Sequence, residues 1–441
     1  MRRRSRRNRE EGIVIVLVAV FMLFVIGAMA ALSIDVVTLY TARSEAQLAA
    51  DAAALAGARV LANSGATSDP NAASDGLMSA AQTLATNVAI QVAQQNQVGG
   101  ANLTPSQVLP PVYGGPITNP TVAITVQVNN LPTFFARIWG RTTIAVSASA
   151  KAEAYNSSPN PLGAPTNPPL PVAPMCVKPW LLPNKSPATA GDSIFTATTG
   201  TIGDPALLGW ESTFAAATRL SSDCTTACGP APSAPAWKYY PGDPADFPPP
   251  SASSVACTGC AGFNNYQLSI AGCVQAPIAC NGIVHVYTTN TDPNLDGEAA
   301  AAVDALTNST ANEGDMVDTA VASPPAGTEP FQFLAGGDNP VVQSGALTAR
   351  SNIMLSDSLV TVPVIDTTTV WPPAAYPKVQ IIGFVQLFLN PNGRAVRNNL
   401  IRTRVINLVG CGTPAAGGVP AAPPAILGNG ASPVAVRLIS P

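Results

Sequence analysis

The chain has 441 residues, with 22 basic and 25 acidic side chains and one histidine. Removing the six arginines at positions 2, 3, 4, 6, 7 and 9 leaves 16 basic groups against 25 acidic ones, which excludes the basic face that nucleic-acid binding requires. Only 11% of residues are charged while 43 are proline and 35 glycine, which suits an exported, loop-rich, β-containing protein better than a cytosolic enzyme; the 47% apolar content excludes a disordered chain.

The N-terminal segment carries the strongest signal. No charged residue stands between Glu11 and Asp35, and the apolar run from Ile13 to Leu32 is 20 residues long. As a helix rising about 1.5 Å per residue it spans the roughly 30 Å hydrocarbon core once. The arginine cluster before the run predicts a cytoplasmic N-terminus and an extracytoplasmic body, hence a single-pass membrane protein. A cleaved signal peptide ending near Ala28-Met29-Ala30 is the competing reading. The long apolar run and the helical chemistry that continues beyond Ala30 favour a retained anchor.

The organisation expected along the chain is a cytoplasmic Arg-rich tail (1–11), a transmembrane helix (12–34), a small helix and strand module (35–155), a Pro-rich linker (156–175), a β-rich extracytoplasmic module (176–411) and a Pro/Ala/Gly-rich, loosely ordered tail (412–441). Past the membrane the helix continues through residues 46–58, eight of which are alanine, until Asn63-Ser64-Gly65 stops it. That Ala-rich stretch reads as a packing surface for partner helices, the alternative being a stable helical stalk. A second helix is expected over about 71–97, with Leu77, Ala81, Leu84, Val88 and Val92 on its apolar face. Residues 121–129 alternate as a half-buried strand, 131–140 read as a short helix with Pro132 in its first turn, and 142–152 as another strand.

Seven prolines within residues 156–174 mark the boundary between modules. The Pro-rich stretch 230–250 is expected to wander over the surface. Strands are expected at 283–289, 359–365, 378–389 and 400–409, the last two joined across Asn390-Pro391-Asn392-Gly393 as a hairpin. The fold class is therefore α+β: a long N-terminal transmembrane helix continuing outside the membrane, a small helix and strand module, and a β-rich, disulfide-braced C-terminal module.

All eight cysteines, Cys176, Cys224, Cys228, Cys257, Cys260, Cys273, Cys280 and Cys411, follow the membrane segment, as expected for disulfides in an oxidising compartment. Bridges among Cys224, Cys228, Cys257, Cys260, Cys273 and Cys280 are the default, Cys176 and Cys411 are candidates to tie the ends of the module together, and the connectivity stays open, since eight cysteines allow 105 pairings. A zinc site from Cys257, Cys260, Cys273 and Cys280 is disfavoured by irregular spacing.

The run Gln47 to Ala58 directly after an N-terminal anchor resembles the signature of TadG-like proteins of the Flp (tight adherence) pilus assembly system, with Gly12 and Asp35 matching residues typical of that family around the anchor. Phe134 to Gly140 and Val146 to Ala152 are similar to its later block, so the resemblance covers roughly residues 10–155. It implies an inner-membrane component of a pilus machine whose partners are the membrane and other Tad/Flp assembly proteins. Gln47, Ala50, Asp51, Ala54 and Gly57 are the expected helix-packing motif. A prepilin would carry Glu five residues after its Gly, where this chain has Leu17; this points to an uncleaved accessory component, minor pilin-like or an assembly factor, rather than a major pilin. The von Willebrand A metal motif of some relatives is absent from the sequence.

Enzyme chemistry has little to stand on. His285, the only histidine, lies in an expected strand, and neither a phosphate-binding Gly-rich loop nor a His-Glu-x-x-His motif occurs. The carboxylates between Asp292 and Asp318 lack EF-hand spacing and read as a solvated acidic loop. No catalytic residue, metal, cofactor or small-molecule substrate is expected. The alternative to a pilus component is a membrane-tethered adhesin or binding module.

Overall fold

The computed structural model describes residues 4–159, 170–216, 237–251, 260–274, 276–287, 295–307, 313–318, 329–366, 378–390, 396–397, 400–412, 425–427 and 432–439. In chain order the main elements are helices α1 (Arg4–Asn63) and α2 (Leu77–Gln94), then strands β1 (Val112–Gly114), β2 (Thr121–Pro132), β3 (Thr143–Tyr155), β4 (Trp180–Pro183), β5 (Glu211–Ala216) and β6 (Trp237–Pro241). They continue with α3 (Asn265–Ala271), β7 (Ile283–His285), α4 (Leu295–Thr307), β8 (Leu359–Ile365), β9 (Lys378–Leu389), β10 (Leu400–Gly410) and β11 (Ala435–Ile439). The α+β class expected from the sequence is the one observed.

α1 is one uninterrupted helix of 60 residues. It ends where Asn63-Ser64-Gly65 predicts, with Gly65 in the left-handed region at φ 84°. Its outer half lies against α2 and a four-stranded antiparallel sheet in the order β11-β3-β2-β1. In β2 the expected alternation holds, with Val122, Ile124, Val126 and Val128 buried. β2 runs on to Pro132, so that proline closes a strand and does not open a helix. Beyond it the expected short helix is reduced to a single 3-10 turn, Ala136–Trp139, capped by Gly140 at φ 79°.

The distal module is a barrel. β4, β5, β6, β8, β9 and β10 each have two partners within this set, so the order β9-β8-β4-β6-β5-β10 closes on itself through the β9–β10 pairing. The strands of the expected hairpin are β9 and β10, paired antiparallel from Gly383–Gly410 to Leu389–Thr403. Residues 391–393 of its turn lie outside the described residues. Trp180, Phe214, Trp237 and Tyr239 share a core with Val362 and Leu387, with Tyr266 and Ile270 of α3, and with Ala299 and Val303 of α4. The rings meet edge to face, Phe214 with Trp237 at 5.3 Å between centroids and with Trp180 at 6.1 Å.

Three expectations from the sequence are corrected by this architecture. Trp237–Pro241 lies in the stretch assigned to the surface, yet it is the buried strand between β4 and β5. The C-terminal stretch assigned to a loose tail returns to the membrane-proximal sheet, where Ala435–Ile439 pairs with Tyr155–Lys151 of β3. The apolar face of α2 is also rotated by one residue. Ala81, Ala85, Ala89 and Ala93 are buried, whereas Leu84, Val88 and Val92 are half-buried. Small side chains face α1 because only they allow the two helices to approach closely.

Asn156–Ser158, assigned to the linker, are instead part of a buried seam between the modules. Asn156 Nδ2 donates to Leu408 O (2.9 Å) and Thr67 O (3.1 Å), Ser157 Oγ donates to Gly410 O (2.8 Å), and Gly410 N donates to Ser158 Oγ (2.7 Å). From the end of α1, Ala62 O accepts from Asn407 Nδ2 (2.6 Å), which also donates to Gln386 Oε1 (2.6 Å). A buried polar network with every bond made holds both modules in one arrangement.

Candidate functional site at the membrane exit of the long helix

Among the described residues one helix is long and apolar enough to cross a membrane, and it is α1. From Ile13 to Ile26 its side chains are exposed, as they are at Met29, Leu32, Ile34, Val36 and Val37. An apolar surface of this length without protein cover is what a bilayer-facing segment presents.

Burial begins at Ala31, which is 8% exposed, and continues along one face through Asp35, Ala42, Ala46, Ala49, Ala50, Ala53, Ala54, Ala58 and Leu61. Recurrence at three, four and seven residues defines a single helix face. This face is covered within the same chain, by the alanines of α2 and by Val122, Ile124, Val126, Ala148, Ala150 and Ala152 of the sheet. The expectation that this face docks onto partner helices is corrected accordingly.

Within the motif, Ala50, Ala54 and Gly57 are buried. A Cβ added at Gly57 would sit 3.4 Å from Val122 Cγ1 and 3.7 Å from both Ala85 O and Ala89 Cβ. Gln47 Nε2 donates to Asp51 Oδ1 one turn away (2.8 Å) and across to Ser149 O of β3 (3.2 Å). Gln47, oriented by Asp51, thus fastens the helix to β3, while Leu48 is 63% exposed.

The most constrained point is Asp35. Its carboxylate accepts from Phe134 N (2.9 Å), Phe135 N (3.0 Å) and Ala136 N (2.7 Å), gathering the start of the β2–β3 connection onto the helix just beyond the apolar run. Burial pushes this carboxyl up, and the three backbone donors outweigh that effect and hold it below its ordinary range. Asp35 and Phe134–Ala136, two of the places that carried the family resemblance and both beyond the apolar run, are therefore in direct contact. About three turns further along α1, Glu45 Oε2 accepts from Gly99 N (2.7 Å), tying down the Gly99-Gly100 turn. A cavity of about 390 Å³ lies elsewhere, at the seam; beside Asp35 a cavity of about 360 Å³ is lined by Asp35, Thr38, Ala42, Gly99, Leu131 and Phe134. The sequence marked Asp35 only through resemblance; nothing local announced its partners, which lie about a hundred residues away.

The other flagged residues are structural in their contacts. His285 Nδ1 is 2.9 Å from Asp246 Oδ2, and the same oxygen accepts from His285 N (2.5 Å), so the pair clamps β7 to the 243–247 turn. Cys176 is bridged to Cys273, and Cys280 to Cys411. Of the connectivities the sequence left open, the structure has each end cysteine joined to an inner one and not to the other end. Cys273 and Cys280 are thereby removed from any thiolate metal site. Cys260 is also disulfide-bonded, and Cys224, Cys228 and Cys257 lie outside the described residues. Among the described residues no cluster of metal-ligating side chains occurs. Of the acidic stretch read as a solvated loop, Asp296 opens α4 and accepts from Ala216 N (2.6 Å), while Asp315 is buried and accepts from Gly336 N (2.8 Å), Asn339 Nδ2 and Ser356 Oγ.

In this architecture a single helix is both apolar enough over its first half to span a membrane and the spine of the packed body. Residues 12–60, the anchor and the Ala-rich face together, match the family model described as putative Flp pilus-assembly TadE/G-like. The N-terminal region is thus Tad-like, which supports a Flp/Tad pilus-associated membrane protein. No curated protein and no solved structure matches the chain.

Proposed function

We propose that this chain is an accessory component of the Flp/Tad pilus machine, minor pilin-like or an assembly factor, with its N-terminus in the cytoplasm and its body outside the inner membrane. The observation that carries the reading is the coincidence of the Tad-like match with the helix that both spans the apolar run and organises the body. Because the alanine face is occupied within the chain, contacts with other assembly proteins fall to the uncovered membrane segment, the opposite face around Leu48 and the surface of the body. The role is structural rather than catalytic: the geometry supports holding the barrel at a fixed place relative to the membrane.

The test is deletion of the chain in its native cell with surface pili counted, followed by return of the full-length chain. Loss of pili restored by the full chain is expected. Unchanged pilus number and adherence would leave a membrane-tethered binding protein in place of an assembly component. A C-terminal phosphatase fusion tests orientation, since it is active only if the body is exported.

A further inference from the structure

The β2–β3 connection, residues 133–142, is pinned to α1 at a level that the apolar run itself defines. The run ends at Leu32 after 20 residues, which spans about 30 Å of hydrocarbon. Asp35 is three residues on, roughly 4.5 Å farther along the axis, within the headgroup layer that brings a bilayer to about 40–45 Å in total. Its carboxylate holds the amides of Phe134, Phe135 and Ala136 at that depth. Burial of α1 starting at Ala31 shows the body reaching the last turn of the apolar run. On this connection Phe134 is 64% exposed, and Arg137 and Arg141 are exposed beside it.

We propose that this connection is a second membrane contact: Phe134 enters the interfacial layer of the bilayer that α1 crosses, and Arg137 and Arg141 bind the phosphates of anionic lipid headgroups. An exposed aromatic flanked by guanidinium groups suits that layer, where an apolar body is buried and charged tips stay wet. Continuity with the membrane-facing surface of α1 selects a bilayer over a protein partner. The contact gives the body two points of attachment, one along the helix and one lateral, and so fixes the tilt of the barrel over the membrane. The inference rests on α1 being an anchor.

The experiment uses the full chain in vesicles of phosphatidylcholine and phosphatidylglycerol, with benzoylphenylalanine replacing Phe134, Phe24 or Leu438 in separate preparations, and photo-adducts identified by mass spectrometry. Lipid adducts are expected at 24 and 134 and not at 438, an exposed site on β11. Lipid at 24 without lipid at 134, or protein adducts at 134 in its place, overturns the proposal and leaves the anchor standing. No lipid at 24 overturns the anchor reading and the proposal with it, and lipid at 438 equal to that at 134 shows unspecific contact and overturns it too. Asp35→Asn is expected to lower the yield at 134 severalfold with that at 24 unchanged. Arg137→Ala with Arg141→Ala is expected to remove the preference for phosphatidylglycerol among the adducts; an unchanged preference overturns the headgroup assignment.

Discussion

The membrane-proximal module and the distal barrel solve the burial problem with opposite side chains. Around α1 the interior is mostly alanine and valine, so helix α2 and the sheet lie close to a rod whose other half leaves the module bare and apolar. In the distal module the core is built on Trp180, Phe214, Trp237 and Tyr239, large groups packed with helices α3 and α4. Each solution fails in its own direction: the first tolerates no added volume, the second no removed volume.

The largest effects should therefore come from shrinking the barrel core. Trp237→Ala or Phe214→Ala is expected to cost about 3–5 kcal/mol, read as a lower urea midpoint for the full chain in detergent. Cys280→Ala with Cys411→Ala comes next. The bridge closes a loop with a sequence separation of 131, and its removal is expected to cost about 2–5 kcal/mol. In the proximal module the informative change runs the other way. Ala54→Leu is expected to cost about 1–3 kcal/mol by overpacking against the sheet and α2, while Leu48→Ala on the exposed face should be nearly silent. A severe loss at Leu48 together with a silent Ala54→Leu would invert the assignment of faces.

This contrast also sets what the sequence makes legible. Leu359–Ile365 and the β9–β10 hairpin follow from apolar runs and a strong turn, and the stop of α1 from Asn63-Ser64-Gly65, because in each case the determinant is local. The Ala-rich run shows that a close approach occurs but not to what, since any small surface satisfies it. The alanine face of α2 is hidden for the same reason: alanine gives a weak apolar signal, and Leu84 and Val88 draw attention to the wrong side. Trp237–Pro241 and Ala435–Ile439 become strands only because distant strands need them, β4 and β5 for the first and β3 for the second. Their own surroundings, rich in proline and glycine, read as loop. Asp35 combines both limits, a single residue whose role depends on amides that only the finished fold brings to it.

Removal of the Asp35 carboxylate tests whether the membrane-exit contact is local. With Asp35→Ala the amides of Phe134, Phe135 and Ala136 lose their acceptor, so their hydrogen exchange should speed up selectively. Amides of β9 and β10 should keep their protection, because the seam to the barrel is made by other residues. Slowed or unchanged exchange at 134–136 would show that the connection is held by something other than Asp35.

The smallest expected effect depends on pH and belongs to neither core. Asp338 is buried beside Asp315 and Glu313, and burial first, then the neighbouring Asp315 carboxylate, raises its carboxyl from 3.8 to about 7. A carboxyl raised on folding holds a proton in the native state that the unfolded chain has already lost between about pH 4 and pH 7. The native state binds more protons in that window, so this group's contribution to stability falls as pH rises through it and reaches its full penalty above about 7. Asp338→Asn keeps the shape and removes the charge. It is expected to leave the urea midpoint nearly unchanged at about pH 4 and to stabilise the chain at about pH 8 by about 1 kcal/mol or more. An equal effect at both pH values would mean that Asp338 acts through its hydrogen bonds and not through its charge, and that Asp315, held by Gly336, Asn339 and Ser356, carries the local negative charge without a partner to repel.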